Sequence, residues 1–168
     1  MEIKSQHSSD PNVQKLGELI KHVKIAMLTT IGSDKKLHSS PLLTQEVDFD
    51  GDLWFLISKQ SQKITDIAQE NRTNVSYASS TGKYISVTGF AELVDDKDKV
   101  NEIWSRSYQD WFPQGPLDPN IQLLKINVEK AEYWDEHTSP FSRILEFAHL
   151  TKSHVSKKSE HGTLDLNH

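Results

Sequence analysis

The chain has 168 residues, no cysteine and a formal net charge of −5 at neutral pH. The lack of cysteine excludes disulfides, thiolate metal sites and cysteine nucleophiles, and the acidic balance argues against a nucleic-acid binder, because phosphate backbones require a basic surface. Mean hydropathy is −0.60, and no apolar run approaches the about twenty residues of a transmembrane helix. Residues 1–14 contain no apolar signal segment, so we expect a cytoplasmic protein.

The first predicted elements are a polar arm, a helix and three strands. We expect residues 1–12 to form a flexible arm, with Asp10 as the N-cap of the helix and Pro11 as its first residue. Apolar residues then recur at helical spacing as far as Val23. The strands predicted in this half of the chain are 25–31, 38–47 and 52–57.

The third of these strands is a continuous apolar run, Leu53 to Ile57, that follows a turn over residues 48–51. Because the run shows no alternation of apolar and polar residues, both of its faces should be covered. We therefore predict that it lies at the centre of the sheet.

A candidate anion seat, residues 58–63, follows this strand directly. Ser58 or Ser61 can serve as the N-cap of a helix that ends near Asn71, and the first turn of a helix leaves backbone N–H groups unpaired. Together with Lys63, these groups can bind a phosphate. The alternative is an ordinary capped surface helix whose lysines are solvated.

The second half of the chain predicts four more strands and a third helix. Gly89 lies inside a long strand and indicates a bulge or a sharp bend, which is how a sheet curls into a barrel. Asp95 or Asp96 should cap the helix. The predicted strands are 75–79, 84–94, 121–128 and 131–134.

The C-terminal region becomes polar after residue 135. Phe141, Leu145 and Ala148 keep a helical spacing that indicates a short helix, and residues 151–168 are expected to be disordered. The histidines of this region form no ligand pattern with carboxylates, so no metal site is expected. We predict a single domain over residues 13–150.

Together the elements predict an α+β fold that is mainly β, an antiparallel barrel with flanking helices. Strands joined mostly by hairpins, with few parallel crossovers, favour this architecture over a doubly wound sheet. No catalytic triad, Walker loop or dinucleotide fingerprint is present.

An ordered set of short motifs gives the chain a resemblance to a known family. The motifs are AMLTT (26–30), HSSPL (38–42), DGDLWF (50–55), SKQSQK (58–63), YISVTGFAEL (84–93), WFPQGPLDPNIQLLKI (111–126) and AEYWD (131–135). In this order they resemble the pyridoxamine 5'-phosphate oxidase-like FMN-binding split barrels, and specifically the general stress protein 26 branch.

The resemblance implies a homodimer that holds two FMN molecules in the clefts between its protomers. It places Ser61, Gln62 and Lys63 at the FMN phosphate, and it places Trp134 where the second subunit closes over the flavin ring. The other residues that the resemblance assigns to the cofactor are Ser40, Pro41, Leu42, Ile57, Ser58 and Tyr84.

The chain departs from the family pattern at several of these positions. The branch usually has arginine where this chain has Ser40 and threonine where it has Ile57, and the wider family often has arginine at the position of Gln62. Neutral groups thus replace two bidentate phosphate donors. The C-terminal motif with which true pyridoxamine phosphate oxidases hold substrate phosphate is not visible after Trp134, so that activity is not expected.

Three functions remain open at this point. The first is an FMN-dependent oxidoreductase acting on a small molecule in stress defence, for which no catalytic side chain is identified because the cofactor supplies the chemistry. The second is a flavin-binding or flavin-buffering protein without turnover. The third is a dimeric barrel that has no cofactor and binds a partner protein. Tyr108, Trp111 and Phe112 either line a substrate pocket or belong to a loop packed over the barrel.

Overall fold

The computed structural model describes residues 9–46, 48–136 and 159–166. Within these ranges, no helix is long and apolar enough to cross a membrane. The helices are α1 (Pro11–Ile20), α2 (Gln62–Gln69) and α3 (Lys97–Ile103), with short 3-10 turns at Arg106–Tyr108 and Gly115–Leu117. The strands are β1 (Ile25–Ile31), β2 (Leu37–Leu43), β3 (Asp52–Ser58), β4 (Arg72–Ala78), β5 (Lys83–Val94), β6 (Ile121–Glu136) and β7 (Ser159–Asp165).

Side-chain caps start each helix at the predicted place. The Asp10 carboxylate accepts a hydrogen bond from the N–H of Asn12, and Pro11 is the first helical residue, so the helix includes the last two residues of the predicted arm. Ser61 caps α2 and Asp96 caps α3. Each cap satisfies an N–H that has no partner inside its helix.

The strands of the described residues form one antiparallel sheet in the order β2-β1-β4-β5-β6-β3, with β7 added on β6. The two ends of this path, β2 and β3, come into contact without forming a ladder. The sheet is thus curled into a barrel that stays split between β2 and β3, which is the predicted α+β architecture.

Strand β3 has both faces covered, as predicted, but its predicted position at the centre of the sheet is wrong. Leu53, Phe55 and Ile57 point into the main core inside the barrel. Leu56 packs on the opposite face into a second core, which it shares with α3 and Phe112. The strand pairs along β6 and lies at the end of the sheet path. The loop over its outer face, rather than neighbouring strands, accounts for the two-sided apolar pattern.

Two predictions for the C-terminal part of the chain are wrong. The first is the division of residues 121–134 into two strands. The structure has one strand, β6, which includes residues 121–128 and 131–134. The strand contains a β-bulge: its pairing with β5 shifts between Thr88 and Gly89, so Glu129 is an extra residue without an opposite partner. Burial changes phase at this point: Ile126 and Val128 are buried before it, and Ala131 and Tyr133 after it. The irregularity predicted at Gly89 is confirmed by this shift, and a Cβ on Gly89 would overlap the carbonyl oxygen of Asn127.

The prediction of a disordered tail over residues 151–168 is wrong for residues 159–165, which form β7. This strand pairs with residues 130–136 of β6, beyond the part of β6 that pairs with β3. Leu164 and Leu166 are buried in the main core, so the segment has an apolar face to bury.

Other boundaries shift by a few residues. Strand β2 ends at Leu43 rather than at residue 47, because its partner β1 begins at Ile25, directly opposite Leu43. Strand β4 begins at Arg72 rather than at residue 75. The helix predicted around residues 141–148 lies outside the described residues, and the domain limits 13–150 stay a prediction.

Candidate functional site

A buried carboxylate fixes helix α2 to the edge of the split. Asp66 is 1% exposed and accepts hydrogen bonds from Thr30 Oγ1 at 2.8 Å and Gln62 Nε2 at 3.2 Å. The Nδ1 atom of His38 lies 3.0 Å from the same carboxylate. These contacts join β1, β2 and α2, so the beginning of α2 is held beside the strand that carries Ser40.

The beginning of α2 offers several groups to an anion. The Ser61 hydroxyl accepts the N–H of Lys63 at 3.3 Å and keeps its own proton available. The N–H of Gln62, as the first in the helix, has no acceptor inside it. Lys63 is partly buried, burial lowers its pKa, and the ion pairs found within the described ranges do not include it.

Ser58, in contrast, is occupied by structural contacts. Its hydroxyl accepts hydrogen bonds from the N–H of Gln60 at 3.1 Å and from Asn120 Nδ2 at 3.0 Å, and it donates to Asn120 Oδ1 at 3.3 Å. The hydroxyl therefore ties the end of β3 to the beginning of β6. The sequence gives no sign of this contact because the two residues lie far apart in the chain.

Four other predicted residues lie on the strands that border the split. The side chains of Leu42 and Ile57 are buried in the main core, so only their backbone can meet a ligand. Ser40 is partly buried opposite Leu28. Pro41 is exposed on the outer face of the sheet.

Tyr84 and Trp134 lie directly opposite each other on β5 and β6. Their side chains are 46% and 39% exposed on the outer face of the sheet. With Ile25 and Met27 they line a depression of about 350 Å³. Aromatic and apolar walls of this kind suit a planar heteroaromatic ligand.

The anion seat and this aromatic pair lie toward opposite ends of the barrel. Ala26 of β1 pairs with Tyr77, which pairs with Ile85, the neighbour of Tyr84. Thr30, four residues further along β1, bonds to α2. At about 3.3 Å per residue, this separates the two groups by more than roughly 13 Å along one protomer.

Sequence reasoning missed three residues of this region. His38 and Asp66 fix α2, yet they belong to no motif that indicates such a pair. The imidazole of His161 stacks on the Trp134 indole, with ring centroids 5.1 Å apart and an interplanar angle of 10°. His161 was missed because it lies in the segment that the composition predicts to be disordered. We call Tyr84, Trp134 and His161 the aromatic row.

The loop that follows α3 divides into buried and exposed aromatic residues. Tyr108 and Phe112 are buried in the second core. The Tyr108 hydroxyl donates to the carbonyl of Leu43 at 3.2 Å, and burial raises its pKa to about 12. Trp111 is 69% exposed. The packed-loop interpretation therefore holds for Tyr108 and Phe112, while Trp111 faces outward.

A larger cavity, of about 650 Å³, lies between α1, the loop after β2 and β3. None of the predicted site residues lines it, although it shares Tyr77 with the depression beside Tyr84 and Trp134. Within the described residues, no group of three or more His, Asp or Glu side chains is arranged to hold a metal ion.

Comparison with known proteins covers most of the chain. Residues 11–160 match the family model described as pyridoxamine 5'-phosphate oxidase like. A curated relative, protein bli-3 of Neurospora crassa, is 27% identical over 135 residues, which cover 74% of this chain and 65% of that protein. The chain thus spans slightly less than two thirds of the length of this relative.

Two solved structures resemble the chain in sequence and in fold. General stress protein 26 from Bacillus anthracis is 28% identical, with a TM-score of 0.62 over 73% of this chain and 90% of that chain. The general stress FMN/FAD binding protein from Xanthomonas citri is 26% identical, with a TM-score of 0.65 over 76% of this chain and 89% of that chain. Both structural alignments extend over about three quarters of the chain.

Proposed function

The chain belongs to the pyridoxamine 5'-phosphate oxidase-like family, and we propose that it is an FMN-binding general stress protein with oxidoreductase activity on a small molecule. The resemblance recognised in its motifs and the split-barrel fold are both confirmed. The cofactor, the reaction and the residues assigned to them are our proposal.

One observation supports the cofactor more than any other. Lys63 lies partly buried at the N-terminus of α2, beside the Ser61 hydroxyl and the N–H of Gln62, and the ion pairs of the described residues leave it without a carboxylate. A partly desolvated ammonium group at a helix N-terminus favours an anionic ligand. The terminal phosphate of FMN supplies that anion.

The remaining assigned residues divide between two walls of the proposed site. The backbone of Leu42 and Ile57, with Ser40, would border the flavin from the side of the split, while Ser58 supports the anion seat through Asn120. Pro41 lies on the outer face opposite Met27, so it would border the flavin from the side of the aromatic row. Tyr84 and Trp134 would cover the ring. Because the anion seat and the aromatic pair lie toward opposite ends of one protomer, we propose that each flavin contacts the anion seat of one copy and the aromatic row of the other.

A homodimer is therefore part of the proposal. Ile25, Met27, Tyr84 and Trp134 expose apolar surface on one face of the sheet, and clustered exposed apolar residues are typical of interaction sites. Interfaces between obligate partners typically bury more than about 2,000 Å².

A cytoplasmic location stays a prediction from the sequence.

A specific observation also favours flavin binding without turnover. Ser40 and Gln62 stand where related proteins often carry arginine, and the Gln62 amide is already bonded to Asp66. The anion seat is thus less basic than the family pattern, which favours a weaker and exchangeable flavin. A bound flavin would supply the electron-transfer chemistry, and the protein would position it.

The deciding experiment measures flavin binding and reduction on the purified chain. FMN, FAD and riboflavin are titrated by flavin fluorescence quenching, and the saturated complex is then mixed with NADPH or NADH without oxygen while the flavin absorbance is followed. We expect FMN to bind more tightly than riboflavin and its absorbance to bleach. Binding without bleaching by either donor supports the buffering function, and the absence of flavin binding contradicts the proposal.

Sedimentation of the same sample tests the dimer. We expect the mass of two chains at micromolar concentration, with or without flavin. A folded monomer that still binds FMN would show that one protomer holds the whole site and would contradict the shared arrangement.

A further inference from the structure

The C-terminal strand β7 is positioned by contacts on its inner side. Leu164 and Leu166 are buried in the main core, and the Tyr133 hydroxyl donates to Glu160 Oε1 at 2.8 Å. The Asn12 side chain donates to the carbonyl of Asp165 at 2.8 Å. These contacts place β7 beside the end of β6 without any contribution from the side chain of His161.

A glycine permits this close approach. A Cβ on Gly162 would lie 2.6 Å from the Tyr133 ring atom Cζ, so any larger residue would require that ring to shift. The neighbouring residue, His161, then lies opposite Trp134 in the pairing of β6 and β7. The backbone therefore sets the position of the imidazole relative to the indole.

The imidazole covers one side of the indole in a nearly parallel stack. The indole nevertheless stays 39% exposed, so surface remains for a further contact. Tyr84 stands opposite Trp134 on the other side, in β5. The three residues thus stand side by side on neighbouring strands, and His161 is the one that the C-terminal strand contributes.

We propose that His161 is a positioning residue of the flavin site, which holds the Trp134 indole in the orientation that covers the isoalloxazine ring. This inference rests on the proposed function. A side chain that is already restrained loses less conformational entropy when a ligand stacks on it, so the stack raises affinity without a direct contact to the ligand. This gain in affinity concerns the isoalloxazine ring and does not depend on the FMN phosphate.

The test uses the full-length chain and three variants. His161→Ala removes the stack, His161→Phe keeps an aromatic ring, and Thr163→Ala alters an exposed residue on the same face of β7. For each variant we measure the affinities for FMN and riboflavin by fluorescence quenching, the mass by sedimentation and the urea midpoint.

We expect His161→Ala to weaken FMN and riboflavin by the same factor, roughly two- to tenfold, which is the usual cost of ordering one mobile side chain on binding. His161→Phe should restore both affinities, and Thr163→Ala should leave them unchanged, with mass and urea midpoint close to wild type throughout. Equal losses for the two ligands separate this effect from that of the anion seat.

Other outcomes overturn the inference. Unchanged affinity in His161→Ala, or a loss that His161→Phe does not restore, rules out positioning by the stack. A loss accompanied by monomers assigns His161 to the interface between copies instead. If wild type binds no flavin, the proposed function fails and the inference fails with it, whereas binding by wild type with no effect of His161→Ala overturns the inference alone.

Discussion

The Nδ1 atom of His38 lies 3.0 Å from Oδ2 of Asp66, a carboxylate that is almost fully buried. The contact joins β2, which carries Ser40, to the helix that carries Lys63. Burial raises the pKa of Asp66, but hydrogen bonds from His38, Gln62 and Thr30 outweigh it and hold the pKa below its usual value. This carboxylate therefore sets both the geometry of the anion seat and a dependence of stability on pH.

Asp66→Asn should lower the free energy of unfolding at neutral pH by about 1–3 kcal/mol, the usual cost when a buried hydrogen-bonding group loses its partners. Because the pKa of Asp66 is lower in the folded state, its contribution is present above roughly pH 4 and is lost as the pH falls through the folded value. Urea unfolding at pH 7 and at pH 3 measures this, and the difference between wild type and variant should shrink at the lower pH.

Asp34→Asn is the matched control for this change. Asp34 is exposed, lies 3.9 Å from the other ring nitrogen of His38 and accepts the N–H of Lys36 at 3.0 Å, so its replacement should lower stability much less than Asp66→Asn does. A difference between Asp66→Asn and wild type that is equally large at both pH values would contradict the assignment of a lowered pKa.

Lys63→Ala should weaken FMN by roughly ten- to a hundredfold, because a charge-assisted hydrogen bond contributes about 1.5–3 kcal/mol. Riboflavin lacks the phosphate and should be almost unaffected. Fluorescence quenching with both ligands measures the difference. Lys97→Ala, which changes an exposed lysine in the first turn of α3, should leave both affinities unchanged. Equal losses for FMN and riboflavin, or no loss, would refute the anion seat.

Restoring the arginines of the family should tighten FMN. Ser40→Arg adds a bidentate phosphate donor, and its gain is limited by the entropy lost when a long side chain becomes ordered. Gln62→Arg should gain less, because it removes the hydrogen bond that Gln62 donates to Asp66. Titration with FMN ranks the two variants, and a larger gain from Gln62→Arg would show that this hydrogen bond does not hold the anion seat in place.

Removal of residues 159–168 should destabilise the protein, because Leu164 and Leu166 leave the core and each buried leucine contributes about 1.5–3 kcal/mol. Gly162→Ala should reproduce part of this loss, since the added methyl group meets the Tyr133 ring. Thermal unfolding measures both changes. Thr163→Ala is the control, and a truncated chain with an unchanged melting temperature would show that β7 adds nothing to the fold.

The loop after α3 offers a matched pair of aromatic substitutions. Phe112→Ala removes a ring that is 3% exposed and should cost about 3–5 kcal/mol. Trp111→Ala removes a ring that faces outward and should cost less than about 0.5 kcal/mol. Urea unfolding compares the two variants. Similar losses from both would contradict the division of this loop into a buried and an exposed part.

The sequence by itself determined the features that depend on neighbouring residues. The caps of the helices act over two or three residues, so Asp10 and Pro11 could be assigned from local chemistry. Gly89 indicated a bulge because only glycine permits the close approach of a neighbouring strand. Motifs in the correct order identified the family and its fold, and Lys63 could be placed at the start of α2.

Contacts between distant segments were decided only by the tertiary structure. The bulge residue Glu129 shifts the alternation of buried and exposed residues within β6. In the sequence alone, such a shift looks the same as a turn between two strands. Ser58 could not be assigned to Asn120, nor His38 to Asp66, because hydrogen-bond partners from different elements leave no periodic signal. Strand β7 is short and polar, and it becomes a strand because β6 extends past β3 and leaves an edge for it to pair with.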